Sequence, residues 1–257
     1  TNGGQHGIAT IFMALCRPGS LVLTESLTWP GMKDVADHLH LRLQGIAMDE
    51  QGLRADALEA ACGSAQAQVL YLLPTLQNPT GAVMSVERRR EIIAIARRFN
   101  LTIVEDDVYG FLLGDDRPPP LVALAPDIVY YVTSMAKCLM PGLRVGFVAT
   151  PPGAAEAVGG AMRTTVRMTA PLMAEIVAGW IADGSADAMA EQQRSAVETR
   201  QALAQRILKD FPTTSDPNGF HIWLTLPDGW SSTDFVAVAQ RQGVVVMGAA
   251  PFRVGRG

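Results

Sequence analysis

The chain has 257 residues, of which 48% are apolar and 18% charged; this composition excludes a disordered protein, and the length allows one to two domains with a buried core. Its 21 basic residues against 25 acidic ones give a net charge of −4, so we expect no nucleic acid to bind this stretch. No apolar run reaches the length of a membrane span, and Cys16, Cys62 and Cys138 form no CxxC motif, which predicts no membrane contact, no metal site and a reduced, cytoplasmic protein.

The first 150 residues alternate short apolar, β-rich runs with helical patterns. The predicted strands cover residues 21–24, 41–46, 68–73, 101–105, 128–133 and 145–149. The predicted helices between them cover residues 8–15, 29–38, 54–61 and 86–99. Apolar strands separated by helices are typical of βαβ units. They predict an α/β fold with a mainly parallel sheet and helices on both faces.

The composition changes after about residue 151. Residues 154–208 are rich in Ala, Gln, Glu, Arg and Met, which favour helices. The last part predicts a strand at 220–226, a helix at 233–241 and a strand at 244–247. We therefore expect a large domain over residues 1–185 and part of a smaller C-terminal α+β domain over residues 186–257.

Polar side chains follow three predicted strands at the points where these strands end. These side chains are Asn78, Asp106, Asp107, Tyr109, Ser134, Lys137 and Arg144. The carboxyl ends of parallel strands meet at one edge of a sheet, where ligands bind. Each residue alone has a structural explanation, such as a turn, a helix N-cap or a surface charge. Their convergence favours a functional site.

Several other sites are excluded by missing motifs. Ser134-x-x-Lys137 matches the S-x-x-K of serine β-lactamases, but the chain has no K-T-G and no S-D-N. It also lacks a G-K-[ST] phosphate loop and a G-x-G-x-x-G fingerprint. A lysine amine, a carboxylate, an arginine and aromatic rings instead suit pyridoxal phosphate. The lysine binds its aldehyde, the carboxylate pairs its ring nitrogen, and cationic and amide donors hold its phosphate.

Five segments, in chain order, resemble the fold-type I, class I and II aminotransferases, which depend on pyridoxal 5′-phosphate. The segments are the turn at 1–7, residues 27–31 around Trp29, Gln-Asn-Pro-Thr-Gly at 77–81, Glu-Asp-Asp-Val-Tyr-Gly at 105–110, and residues 134–146 with Ser-Met-Ala-Lys and Pro-Gly-Leu-Arg-Val-Gly. The resemblance implies the seven-stranded type of sheet of the PLP transferase large domain. It also implies a homodimer and an amino acid or amine as the small-molecule partner.

The resemblance assigns roles to the site residues. Lys137 is implied as the Schiff-base lysine, and Asp106, rather than Asp107, as the partner of the pyridine nitrogen. Asn78 and Tyr109 would bind the ring phenolate. The stacking aromatic would be Trp29, and the phosphate would be held by Gly3, Gly4, Gln5, Ser134 and Arg144. The catalytic residues would thus be Lys137, Asp106 and Tyr109. Ala136 departs from the serine that many members carry before the lysine.

Residues 1–6, 105–109 and 180–184 further resemble the aminotransferase-like domain of MocR-type regulators in the GntR family. In those proteins a winged helix-turn-helix precedes the domain. We therefore favour an effector domain of a transcription regulator, with DNA bound by an N-terminal domain outside this chain. The alternative is a stand-alone aminotransferase, which transfers an amino group between an amino acid and a 2-keto acid.

The resemblance also implies that the arginine for the substrate carboxylate lies beyond Gly257. We therefore expect residues 1–257 to bind the cofactor poorly or moderately and to transaminate worse, with Arg253 or Arg256 as the nearest substitutes.

Two further groups of residues are predicted to have no role in the site. Arg88, Arg89 and Arg90 are interpreted as a solvated helix face. The four histidines (His6, His38, His40 and His221) have no metal-like spacing.

Overall fold

A six-stranded sheet organises the computed structural model, which describes residues 1–64 and 66–255. Its strands are β1 (Leu21–Glu25), β2 (Arg42–Ile46), β5 (Val69–Leu72), β6 (Thr102–Asp106), β7 (Val129–Ser134) and β8 (Gly146–Ala149). Their spatial order is β2-β1-β5-β6-β7-β8, and β8 alone is antiparallel to its neighbour. The predicted α/β fold with a mainly parallel sheet is confirmed. Each of the six predicted apolar runs forms one strand. Within the described residues the sheet therefore has six strands, one fewer than the seven-stranded type that the resemblance implies.

Helices cover both faces of the sheet. In the first half of the chain they are α1 (Gly4–Leu15), α2 (Pro30–His38), α3 (Ala55–Ser64), α4 (Val86–Arg98) and α5 (Leu121–Leu124), with a short hairpin of β3 (Met48–Asp49) and β4 (Gly52–Leu53) before α3. Side chains alternate along a strand, so Val22 packs in the cluster with α1, while Leu23 packs in the cluster with α3 and α4. Among the described residues, no helix has the length and apolarity that a membrane crossing requires.

The N-terminal segment lies against β8 and brings α1 close to the sheet. The amino group of Thr1 donates to the carbonyl of Gly146 at 2.7 Å, and the Gly146 amide donates back to Thr1. A Cβ at Gly146 would lie 2.6 Å from the backbone of Gly3, so only glycine permits this approach. The start of α1 is thereby held beside the ends of β7 and β8.

The C-terminal part differs from its predicted elements in two places. It contains α6 (Ala155–Thr165), α7 (Pro171–Ala182), α8 (Ser185–Ile207), β9 (Thr213–Thr214), β10 (Trp223–Leu224) and α9 (Ser232–Arg241). The predicted strand at 220–226 shrinks to β10, which pairs with β9. The predicted strand at 244–247 is wrong, because Val245 is 92% exposed and no described strand pairs with it. The division at residue 185 stays a prediction.

Arg89 corrects the interpretation of residues 88–90 as one solvated face. Its side chain is fully buried, and it lies 3.4 Å from the Glu105 carboxylate on β6. It also donates to the carbonyls of Met84 and Pro74. The arginine therefore joins α4, the end of β6 and the turn that follows β5.

We predict that Arg89→Met lowers the free energy of unfolding by about 3–5 kcal/mol, because it leaves the buried Glu105 carboxylate without its cation. Urea unfolding measures the change. Arg90→Met is the matched control, since Arg90 is exposed on the same helix, and we expect a change within about 0.5 kcal/mol. Equal effects of the two substitutions would contradict this account of Arg89.

Candidate functional site

A cavity of about 210 Å³ opens at the carboxyl edge of the sheet. Eight of the ten predicted site residues line it, and they are Gly4, Gln5, Trp29, Asp106, Tyr109, Ser134, Lys137 and Arg144. Gly3 and Asn78 lie directly behind this lining, against Arg144 and Tyr109 respectively. The segments that the sequence separates by more than a hundred residues therefore meet at one place.

Asp106 ends β6, and the side chain of Asp107, the next residue, has different partners. Asp106 lines the cavity, where its Oδ2 accepts a hydrogen bond from the Tyr71 hydroxyl at 2.7 Å and its Oδ1 has no partner among the described residues. Burial raises the pKa of Asp106 to about 7. Asp107 instead pairs with Arg117 and accepts from the Tyr131 hydroxyl at 3.1 Å. Of the two aspartates, Asp106 is therefore the one that lines the cavity.

Asn78 reaches the site through an ordered turn after β5. Its Nδ2 lies 3.5 Å from the Tyr109 hydroxyl, and its buried Oδ1 has no hydrogen-bond partner in the described residues. Gln77 holds the turn, because its Nε2 donates to the Leu27 carbonyl at 2.7 Å and its Oε1 accepts from the Thr80 amide. An amide and a phenol therefore stand together with spare hydrogen-bonding capacity.

Lys137 lies next to Tyr109, with its Nζ 5.8 Å from the centre of the ring. The other two lysines are elsewhere: Lys33 donates to the Pro251 carbonyl at 2.9 Å, and Lys209 is exposed. Among the three, Lys137 alone lines the cavity in the described structure.

His221 corrects the expectation that the histidines stand apart from the site. Its ring packs edge-on against Tyr109, at 5.1 Å between ring centres. Burial and the charge of Lys137 lower the pKa of His221 to about 4, so the imidazole is neutral near pH 7. No local sequence signal marks this residue, because it reaches the site from the segment after α8.

The start of α1 forms a cradle for an anion together with Arg144. Gly3 has a φ of +86°, and a Cβ there would lie 2.8 Å from Nη2 of Arg144. That nitrogen donates to the Asn2 carbonyl at 3.1 Å. The amides of a helix N-terminus and a guanidinium both favour a phosphate or carboxylate. Ser134, whose hydroxyl donates to the Val145 carbonyl, also lines the cavity beside Gly4, where an added Cβ would lie 3.4 Å from the Ser134 Cβ.

Trp29 forms one wall of the cavity because the following turn leaves room for it. A Cβ at Gly31 would lie 2.1 Å from Cζ2 of the indole. Glycine at this position therefore lets the ring fold back over the start of α2.

Arg253, which the sequence analysis considered for a substrate carboxylate, is exposed and joins Leu27 in an isolated β-bridge. Arg256 lies outside the described residues. Tyr71 and Arg117, which bind the two aspartates, were missed by sequence reasoning. The position of Tyr71 on a predicted strand beside 101–105 was the available signal.

The chain that forms this cavity is similar to several known proteins. The model of the family "Aminotransferase class I and II" matches residues 1–257. The HTH-type transcriptional regulator YdeF of Bacillus subtilis is 34% identical, over 99% of this chain and 55% of its own length. A 2-aminoadipate transaminase of Thermus thermophilus is 29% identical, over 98% of this chain and 66% of its own length. The crystal structure of the α-aminoadipate aminotransferase LysN from Thermus thermophilus, complexed with N-(5′-phosphopyridoxyl)-L-leucine, shares 27% identity and a TM-score of 0.93, covering 100% of this chain and 68% of that one. The chain spans about half the length of the HTH-type relatives it matches.

The buried carboxyl group of Glu25, at the end of β1, makes the stability of the protein depend on pH. Its side chain is fully buried, its Oε2 accepts from the Leu73 amide at 3.2 Å, and its Oε1 has no partner among the described residues. Burial raises the pKa of Glu25 from 4.5 to about 8. The folded protein therefore keeps a proton that the unfolded chain releases between these two values. The contribution of Glu25 to the free energy of unfolding is therefore largest below pH 4.5 and falls as the pH rises towards 8.

We predict that Glu25→Gln flattens this decline by up to about 1.4 kcal/mol per pH unit, because the amide carries no titrating proton. Urea unfolding of the cofactor-free protein across this pH range measures it. Glu198→Gln is the control, since Glu198 is exposed on α8, and we expect the pH profile to keep its slope. An unchanged slope in Glu25→Gln would contradict the buried, protonated carboxyl.

Proposed function

Because the chain belongs to the class I and II aminotransferase family, we propose that its cavity binds pyridoxal 5′-phosphate and that the domain is the effector domain of a MocR-type transcription regulator of the GntR family. The observation that carries the proposal is the meeting of Lys137, Asp106 and the Arg144 cradle around one cavity. The similarity to HTH-type regulators over nearly the whole chain supports the regulatory role. The effector would be an amino acid or amine.

The residues of the cavity fit the cofactor. The buried Oδ1 of Asp106 lacks a hydrogen-bond partner among the described residues, and a protonated ring nitrogen would supply the donor. The Nδ2 of Asn78 and the Tyr109 hydroxyl, 3.5 Å apart, would donate to the ring oxygen. The Gly3 and Arg144 cradle suits a phosphate dianion, and the face of Trp29 suits an aromatic ring. The site therefore offers a separate group for each part of the molecule.

When bound, pyridoxal phosphate supplies an aldehyde that binds amines and a ring that withdraws electrons from them. Lys137 offers the amine for the aldehyde and moves protons at its Nζ. Asp106 would accept a hydrogen bond at Oδ1 from the protonated ring nitrogen. Asn78 and Tyr109 orient the ring oxygen, and Trp29 covers one face of the ring. The phosphate is held by Gly3, Gly4, Gln5, Ser134 and Arg144.

The wider organisation is also part of the proposal. Residues 1–185 form the large, cofactor-binding domain, and residues 186–257 form part of a smaller C-terminal domain. The whole protein is a cytoplasmic homodimer, and it binds DNA through a separate N-terminal domain. Sedimentation of the whole protein tests the dimer, and the coding sequence upstream of Thr1 tests the DNA-binding domain.

A stand-alone aminotransferase is the second candidate function. The match to a 2-aminoadipate transaminase over 98% of this chain favours it, since the same lysine, acid and cradle serve either role. A start codon within a few tens of residues of Thr1 would favour the enzyme over the regulator.

We predict that borohydride reduction in the presence of pyridoxal phosphate labels Lys137, because it is the lysine that lines the cavity. Peptide mapping by mass spectrometry locates the label. Lys137→Ala should abolish it, whereas Lys33→Ala and Lys209→Ala should keep it. A label on Lys33 or Lys209 in the unaltered chain would contradict the assignment.

We predict that this chain converts bound cofactor to its amine form slowly when amino acids are added. Fast conversion needs a cation that fixes the substrate carboxylate. Among the described residues, Arg144 is the one arginine that lines the cavity, and it is assigned to the phosphate. Absorbance spectroscopy of the cofactor-saturated chain follows the reaction. Arg253→Ala should leave the slow rate unchanged. A fast reaction would show that the carboxylate clamp lies within these residues.

A further inference from the structure

Tyr71 lies behind the cavity, on the strand next to Asp106. Its side chain is 0% exposed, its ring centre lies 6.2 Å from that of Phe12, and its hydroxyl donates to Oδ2 of Asp106 at 2.7 Å. Tyr71 is absent from the lining of the cavity, which Asp106 reaches. The hydrogen bond therefore uses one carboxylate oxygen from behind and leaves the other, Oδ1, for the cavity.

The charged and titratable groups around Asp106 affect its ionisation, as does the hydrogen bond from Tyr71. The titratable groups that act on Asp106 or lie beside it are those of Glu25, Tyr71, Asp107, Tyr109 and Lys137. Burial and the charge of Asp107 raise the pKa of Asp106, whereas the Tyr71 hydroxyl and Lys137 lower it. A ring nitrogen keeps its proton beside an ionised carboxylate, so any group that favours ionisation of Asp106 favours the charged ring.

We propose that Tyr71 is a positioning residue, which holds Oδ2 of Asp106 and so presents an ionised Oδ1 to the ring nitrogen of the cofactor. This inference rests on the proposed function for its ligand, while the link between Tyr71 and Asp106 concerns the protein alone. The phenol fixes the rotation of the carboxylate and stabilises its negative charge, since hydrogen bonds to charged acceptors are stronger than those between neutral groups.

Tyr71→Phe removes one oxygen and keeps the packing against Phe12. Tyr130→Phe is the matched control, because Tyr130 is buried on β7, at the other side of β6 from Tyr71, and its hydroxyl makes no hydrogen bond with the described residues. The first measurement uses cofactor-free protein with ¹³C-labelled aspartate carboxyls, in which Asp106→Asn identifies the Asp106 signal. We expect Tyr71→Phe to raise the pKa of Asp106 by about one unit and Tyr130→Phe to leave it unchanged.

The second measurement uses pyridoxal phosphate labelled with ¹⁵N in the ring. We expect Tyr71→Phe to shift the ring-nitrogen signal towards the unprotonated form and to weaken cofactor binding about tenfold. Both effects should vanish in the Asp106→Asn background, because a purely structural effect of Tyr71 would persist there.

An Asp106 pKa that is the same in Tyr71→Phe and Tyr130→Phe overturns the inference. If the unaltered chain takes up no cofactor while Tyr71→Phe still raises that pKa, the proposed function fails and the positioning of Asp106 stands. If Tyr71→Phe does not fold, the unaltered protein decides: a slowly exchanging Tyr71 hydroxyl proton close to the Asp106 carboxyl supports the inference, and a freely exchanging one overturns it.

Discussion

Three consecutive buried carboxyl groups, Glu105, Asp106 and Asp107, lie at the end of the central strand β6 and in the residue that follows it. Buried carboxylates are costly unless each has a partner. Glu105 accepts from two backbone amides and lies beside Arg89, and Asp107 pairs with Arg117. Because side chains alternate along a strand, Asp106 faces the other way. There it receives one hydrogen bond and keeps one oxygen without a partner among the described residues, and it is the carboxyl group of the three that lines the cavity.

The partners of these carboxyl groups also place the rest of the site. Arg89 donates to the carbonyl of Pro74 and the hydroxyl of Thr75, and so ties the turn after β5 to the end of β6. That turn carries Asn78 to within 3.5 Å of the Tyr109 hydroxyl. A parallel sheet brings strand ends to one edge, but the buried ion pair sets the position of the loops there. Stability and site geometry are therefore linked through the same contacts.

The strands of the sheet could be predicted from the sequence, whereas the run at 244–247 and the burial of Arg89 were predicted wrongly. Six apolar runs mark six strands because central parallel strands are buried on both faces. The run at 244–247 has the same composition, but no strand among the described residues pairs with it, and pairing cannot be read from one segment. Consecutive residues on a helix turn by about 100°, so Arg88, Arg89 and Arg90 cannot share one face. Arg89 precedes Ile92 and Ile93 by three and four residues, which places it on their buried side.

The site residues divide in the same way between those with a local signal and those without. Asp106 ends β6, and Lys137 and Arg144 lie in the connection between β7 and β8, so the order of the strands brings them together. Tyr71 lies on a predicted strand, but no local pattern marks its hydrogen bond to Asp106 on the next strand. His221 reaches the site through packing between distant segments, which no local pattern encodes.

His221 connects the cavity with the C-terminal part of the chain. Its backbone carbonyl accepts from the buried Gln201 on α8, as does that of Gly219 at 2.6 Å. Its ring packs on Tyr109, beside Lys137. Burial and the charge of Lys137 both lower the pKa of His221. The ring contact with Tyr109 and the hydrogen bond from Gln201 therefore connect the wall of the cavity to α8.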